Sequence, residues 1–162
     1  DAGKTWQLGG IVGPKCNECQ IVELNDGDLM LNIRSYRGTN RRLVAISKDH
    51  GATFGDLLED KTLIEPVCQA SILRHPGAKG GILFANPAST KREKMTVRLS
   101  RDSGKTWPHA KRLHAGPAAY SCLSVLPDGT IACLYERGEK HAYENITFAR
   151  FSLDWLTRIG QQ

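Results

Sequence analysis

Two Asp-Gly turns in this 162-residue chain are flanked, at equal distances, by side chains able to do chemistry. Glu18 lies eight residues before Asp26 and Arg34 eight residues after it; Tyr120 and Glu136 flank Asp128 at the same separation. At a rise of about 3.3 Å per residue, each of the four stands roughly 25 Å along its strand from the turn. All four therefore fall at the strand ends opposite the hairpins. Gln69 starts the corresponding strand of a third hairpin, and Asn86 lies near the end of its second strand. One rim thus gathers two carboxylates, a guanidinium, a phenol and two amides at the ends of otherwise apolar strands. Such a collection is a candidate site for a polar ligand. Blander roles compete with this reading. Tyr120 also suits a core position with its hydroxyl satisfied, the glutamates suit exposed strand ends, and Arg34 has Arg37, Arg41 and Arg42 as neighbours.

The elements that must position these groups are β-strands in repeats. NECQIVELNDGDLMLNIRS (17–35), CQASILRHPGAKGGILFANPAS (68–89) and YSCLSVLPDGTIACLYERG (120–138) each read as strand, turn, strand. Each is followed by a further β-rich stretch: RRLVAIS, MTVRLS and NITFARFS. A second repeat is offset from the first. SKDHGATF (47–54) and SRDSGKTW (100–107) match the opening DAGKTW (1–6), with steps of 48 and 53 residues between their aspartates. A period near 50 is that of propeller blades. In each copy Asp and Thr can bond nearby backbone, Gly supplies a positive φ, and the aromatic pins the turn onto the layer between sheets. The expected fold is all-β: three four-stranded antiparallel blades over residues 1–162. Three blades do not close a ring, and the first repeat is cut short, so the expectation is the C-terminal half of a six-bladed propeller. Its open edges call for the missing N-terminal half or for self-association.

Composition narrows the partners. The net charge of +5 is spread along the chain, and no aromatics interleave with basic residues as single-stranded nucleic acid would require. No nucleic-acid partner is expected. No apolar run approaches the roughly 18 residues that a membrane span takes. Cys16 and Cys19 form a lone C-x-x-C without a second pair or a spaced His, so no metal is expected. Cys68, Cys122 and Cys133 sit among apolar neighbours and read as buried thiols. No organic cofactor is implied. Asn145-Ile-Thr147 is a glycosylation sequon, relevant only in a secretory setting.

The SxDxGxT[WF] turns resemble the Asp boxes, or BNR repeats, of sialidases (neuraminidases). NECQIVELNDGDLMLNIR, MTVRLSRDSGKTW and AAYSCLSVLPDGTIACLYERG resemble the catalytic half of that family. The resemblance implies that Tyr120 is the catalytic nucleophile and Glu18 the carboxylate that assists it. It implies that Arg34 and Arg98 are two members of the arginine triad that grips a sialic acid carboxylate. Glu136 matches the acid that orients the remaining arginine, Gln69 a glutamine lining the sugar pocket, and Asn86 a further candidate there. The first triad arginine and the aspartate general acid have no counterpart in this chain. The implied activity is exo-α-sialidase hydrolysis of sialylated glycans, with an extracytoplasmic setting. A sialic-acid-binding propeller without catalysis and a trans-sialidase use overlapping residues and stand as alternatives.

Residue types suit that reaction. Sialic acid bears a carboxylate on its anomeric carbon, so a carboxylate nucleophile would approach against like charge. A neutral phenol avoids this. Its ordinary pKa near 10 makes it a poor nucleophile, and an adjacent glutamate can take its proton as attack proceeds. Guanidinium offers the carboxylate a flat, permanently charged fork.

Overall fold

The computed structural model describes residues 1–77 and 80–158. Ala78 and Lys79 of the Gly-rich loop, and residues 159–162 of the expected domain, lie outside them. After an irregular start carrying the first Asp box, β1 (Cys16–Glu23), β2 (Leu29–Ser35), β3 (Arg41–Ser47) and β4 (Leu58–Ile64) form an antiparallel sheet in chain order. The next six strands are β5 (Ser71–Arg74), β6 (Ile82–Pro87), β7 (Glu93–Ser100), β8 (His109–Val125), β9 (Ile131–Arg137) and β10 (Asn145–Phe151). They form a second sheet, ordered β10-β9-β8-β7-β6-β5. Helix α1 (Leu153–Thr157) ends the described chain, its N-terminus capped by the Ser152 hydroxyl.

The fold is all-β and antiparallel, but its sheets have four and six strands where the repeats suggested three sheets of four. The difference lies in β8, a single strand of 17 residues. Its first half, to Pro117, pairs with β7, and its second half, from Ala118, pairs with β9. The last repeat contributes three strands among the described residues before the chain turns into α1.

Alternation along the strands builds two apolar layers. Leu83 and Ala85 point from β6 toward Met95, Val97, Leu99, Leu123, Ile131 and Cys133. Ile82 and Phe84, on the other face of β6, pack with Val22, Met30, Ile72 and Trp107. β6 is therefore buried on both faces, which explains its unbroken apolar run ILFA. Beyond these layers, Ile21 and Leu58 at one end and Leu134, Ile146 and Phe148 at the other are exposed.

The turns follow local rules. In the β1–β2 and β8–β9 loops, Gly27 and Gly129 donate to the carbonyls of Leu24 and Leu126 at 3.2 and 2.9 Å, with φ of 87° and 80°. This is a three-residue hairpin closed by a left-handed glycine. In the Asp boxes, Asp49 and Asp102 accept from the Thr53 and Thr106 amides at 2.8 and 2.9 Å and from their hydroxyls at 2.6 Å. The Thr53 bonds pull the Asp49 carboxyl down to about 2. Burial opposes the shift at Asp102, but the Thr106 and Ser100 bonds bring it to about 2 as well. Trp107 is buried against Phe84, as a pinning aromatic should be, whereas Trp6 of the first box is 88% exposed. Among the cysteines, burial pushes the Cys68 and Cys133 thiols up to about 11 and about 12. Cys122 is exposed, because alternation in β8 turns Ser121 and Leu123 inward instead.

Candidate active site

Glu18 and Tyr120 meet because each sits where its ladder slips. On β1, Asn17 pairs with Arg34 and Cys19 with Ile33, so Glu18 has no partner opposite it. On β8, the two residues between Ala118 and Ser121 face the single residue Glu136 of β9. Bulges bend a strand and re-aim a side chain, and here both re-aimed groups face each other. The Tyr120 hydroxyl donates to Glu18 Oε1 at 2.5 Å, across 102 residues of sequence. Arg34 Nη1 donates to Glu18 Oε2 at 2.5 Å and to the Tyr120 oxygen at 3.3 Å. The amide freed by the β8 bulge is not orphaned: Tyr120 N donates to Glu136 Oε2 at 3.0 Å. Against the protein side, Tyr120 packs on Cys68, Ala119 and Ala142.

The arrangement sets the resting charges. Burial pushes the Glu18 carboxyl up, but hydrogen bonds from Tyr120 and Arg34 and the charges of Arg34 and Arg92 outweigh it, leaving the group below the usual carboxylate range. The hydrogen bond to Glu18 raises the Tyr120 phenol above its ordinary value, with burial adding to the effect. At neutral pH the pair is therefore carboxylate plus neutral phenol, with the shared proton on Tyr120. Desolvation weighs against the Arg34 charge, and the Glu18 contacts more than restore it.

The second guanidinium here is Arg92. It stands at the β6–β7 turn with its Cζ 5.8 Å from the Tyr120 ring centre. Its carbonyl accepts from Ala118 N at 2.8 Å, its Nη2 donates to the Val67 carbonyl at 3.3 Å, and its Nη1 donates to the Tyr143 hydroxyl. Arg98, the arginine expected from the motif, lies six residues further along the chain, toward the far end of β7. It pairs opposite Phe84, donates to Asn86 Oδ1 at 3.3 Å and has Asp60 as its charged neighbour. Desolvation holds Arg98 below the usual arginine range, with Asp60 opposing. Asn86 is buried, donating to the carbonyls of Ile64 and Pro87 at 2.8 and 3.0 Å. The structure thus couples Arg98 and Asn86 to each other and places neither at Tyr120. Arg92 precedes its strand, in the β6–β7 turn, so the placing of side chains along strands gives no signal for it.

Gln69 is close to the site, yet its amide is already engaged. Nε2 donates to the Ser121 carbonyl and Oε1 accepts from the Ser121 amide, both at 2.9 Å. Beneath Arg34, Arg42 and Glu65 form a buried ion pair at 2.8 Å, and Glu65 Oε1 also accepts from Ser35 N at 2.7 Å. This fixes the end of β2 from below. A recess of about 520 Å³ lies elsewhere, at the hairpin end between Asn25, Arg74, His75 and Arg101. Among the described residues, no group of three or more His, Cys, Asp or Glu side chains is placed to hold a metal.

Residues 1–133 match the BNR repeat-like domain family. The chain belongs to that family. It is 42% identical to a sialidase of Micromonospora viridifaciens, over 98% of this chain and 25% of the relative. Its fold superimposes on the Hadza microbial sialidase Hz136 with a TM-score of 0.85 at 34% identity, covering 97% of this chain and 31% of that one. A leech intramolecular trans-sialidase complexed with 2,7-anhydro-Neu5Ac is similar at a TM-score of 0.74 and 27% identity, over 86% of this chain and 24% of that one. The chain therefore spans about a quarter to a third of the length of these relatives. No helix is long and apolar enough to cross a membrane among the described residues.

Proposed function

We propose that this chain is the nucleophile-bearing half of an exo-sialidase propeller, removing terminal sialic acids from sialylated glycans with retention of configuration. The observation that carries this reading is the Glu18–Tyr120–Arg34 triangle, a neutral phenol hydrogen-bonded at 2.5 Å to an ionised carboxylate beside a guanidinium. In the first step the Tyr120 oxygen bonds to the anomeric carbon and its proton passes to Glu18. The glycosidic bond breaks, and the departing oxygen is protonated by an acid outside this chain. In the second step water gives up a proton to the conjugate base of that outside acid and attacks the same carbon from the vacated face, the bond to Tyr120 breaks, and Glu18 returns its proton to the phenol. Two inversions give net retention. Arg34 and Arg92 form the carboxylate clamp in this scheme, in place of the Arg34–Arg98 pair that the motif suggested. Glu136, holding the Tyr120 amide, keeps its second oxygen for a further cation.

Within the same reading, β1–β4, β5 to the first half of β8, and the rest of β8 with β9 and β10 are three consecutive blades of a six-bladed ring. The two apolar layers between them support this division. The exposed apolar residues at both ends of the stack then await the remaining blades, supplied by an N-terminal half or by a second copy. The similarity to an intramolecular trans-sialidase favours, as a second reading, an internal hydroxyl of the sugar in place of water.

The test is release of a fluorogenic leaving group from an α-sialoside by this chain together with the blades that complete the ring. Turnover is expected, with Tyr120→Phe reducing kcat at least about a thousandfold, given that the phenol oxygen is the attacking atom. Undiminished turnover in Tyr120→Phe would remove the nucleophile assignment. Tight binding of sialosides without hydrolysis would establish a lectin instead.

A further inference from the structure

The Glu18–Tyr120 hydrogen bond joins two strands that share no ladder. β1 belongs to one sheet and β8 to the other, so no backbone pairing fixes their separation. What lies between them is β5, and the hydrogen bonds on either side of it that bear on the site all involve a side chain. On one side, Gln20 of β1 accepts from the Ile72 amide at 2.6 Å and from the Ser71 hydroxyl at 3.2 Å. On the other, Ser71 Oγ accepts from the Leu123 amide at 3.0 Å, and Gln69 closes two 2.9 Å bonds on Ser121. The Gln69 amide gives Ser121 both a donor and an acceptor, as a neighbouring strand would. Gln20 stands two residues from Glu18, and Ser121 directly follows Tyr120.

We infer that Gln20, Ser71 and Gln69 are positioning residues: a side-chain bracket across β5 that sets the distance between the carboxylate and the phenol. Gln69 therefore works on the protein's own backbone, each end of its amide holding one bond to Ser121. A bracket of this kind matters because misplacement of a reacting group by about 1 Å can cost about a hundredfold in rate. The inference rests on the sialidase reading for its kinetic consequence, but its structural content does not.

Two readouts separate these. In the sialoside-hydrolysing form, Gln69→Met, which keeps length but removes both bonds, is expected to lower kcat about ten- to a hundredfold with KM within about threefold. Gln69→Glu, which keeps the acceptor for Ser121 N, should fall between. In parallel, carbon-13 ring-labelled tyrosine reports the Tyr120 hydrogen bond by nuclear magnetic resonance, with Glu18→Met, which has no oxygen to accept it, as the reference for its loss. The Tyr120 signal in Gln69→Met should move toward that reference, and Gln20→Met should move it likewise. A folded Gln69→Met with kcat within twofold and an unmoved Tyr120 signal would overturn the inference, as would lower thermal stability with that signal unmoved. A shifted signal in a protein that hydrolyses no sialoside would keep the bracket and remove the sialidase reading.

Discussion

Replacing Arg92 and Arg98 separately, each by methionine, distinguishes the clamp drawn from the structure from the one drawn from the motif. Methionine preserves much of the apolar stem, so what is lost is mainly charge and hydrogen bonding. Arg92 spends two of its five N–H donors on Val67 and Tyr143, leaving the others for a ligand carboxylate beside Tyr120. A hydrogen bond to a charged group contributes about 1.5–3 kcal/mol, so Arg92→Met should lower kcat/KM for an α-sialoside about 10- to 150-fold at 1.4 kcal/mol per decade. Arg98→Met removes the 3.3 Å bond to Asn86 and leaves a buried amide oxygen short of a donor, at a cost of about 1–3 kcal/mol of stability. Its kcat/KM should stay within about threefold. Steady-state kinetics with a fluorogenic sialoside and a thermal melt on each variant suffice. The reverse pattern, with kcat/KM lost in Arg98→Met and kept in Arg92→Met, would refute the placement of the clamp.

Two further outcomes concern the fold. Phe84 is fully buried between the four-stranded sheet and β6, against Trp107, so Phe84→Ala should cost about 3–5 kcal/mol, measured by urea unfolding. The Asp49 and Asp102 carboxyls are held at about 2 in the folded chain, below the roughly 3.9 of an unfolded aspartate. Their contribution is therefore complete above about pH 4 and is lost as pH falls from there through 2. Stability measured at pH 5 and pH 2.5 should drop more in the parent than in an Asp49→Asn, Asp102→Asn variant, and equal drops would count against the Asp boxes as acid-labile fasteners.

The sequence was most legible where symmetry about a turn fixed a residue's height on its strand. The hairpin arithmetic that puts Glu18, Arg34, Tyr120 and Glu136 at one rim is local, and the structure brings the four together there. What escaped depended on register and on loops. The bulges at Glu18 and Tyr120, which aim those side chains, leave no mark in the apolar alternation. Arg92 sits in a turn that alternation does not describe, and Arg98 comes from the motif around it, which does not say where the side chain lands. Gln69 was noticed as an amide near the rim, but its partner Ser121 is 52 residues away, beyond any local rule. Cys122 shows a smaller failure: apolar neighbours suggested burial, and period-two alternation decided otherwise.

The long strand β8 gives the site a ruler. Between Pro117 and Ala118 the chain passes from one ladder to the next with no loop to take up slack, only three residues ahead of Ser121. A slip of one residue would invert every side chain along it, sending Tyr120 away from Glu18 while breaking the pairing with both β7 and β9. Drift of the phenol is thereby tied to the melting of two ladders at once, and an amino acid inserted at that junction should silence the site even if every sheet survived.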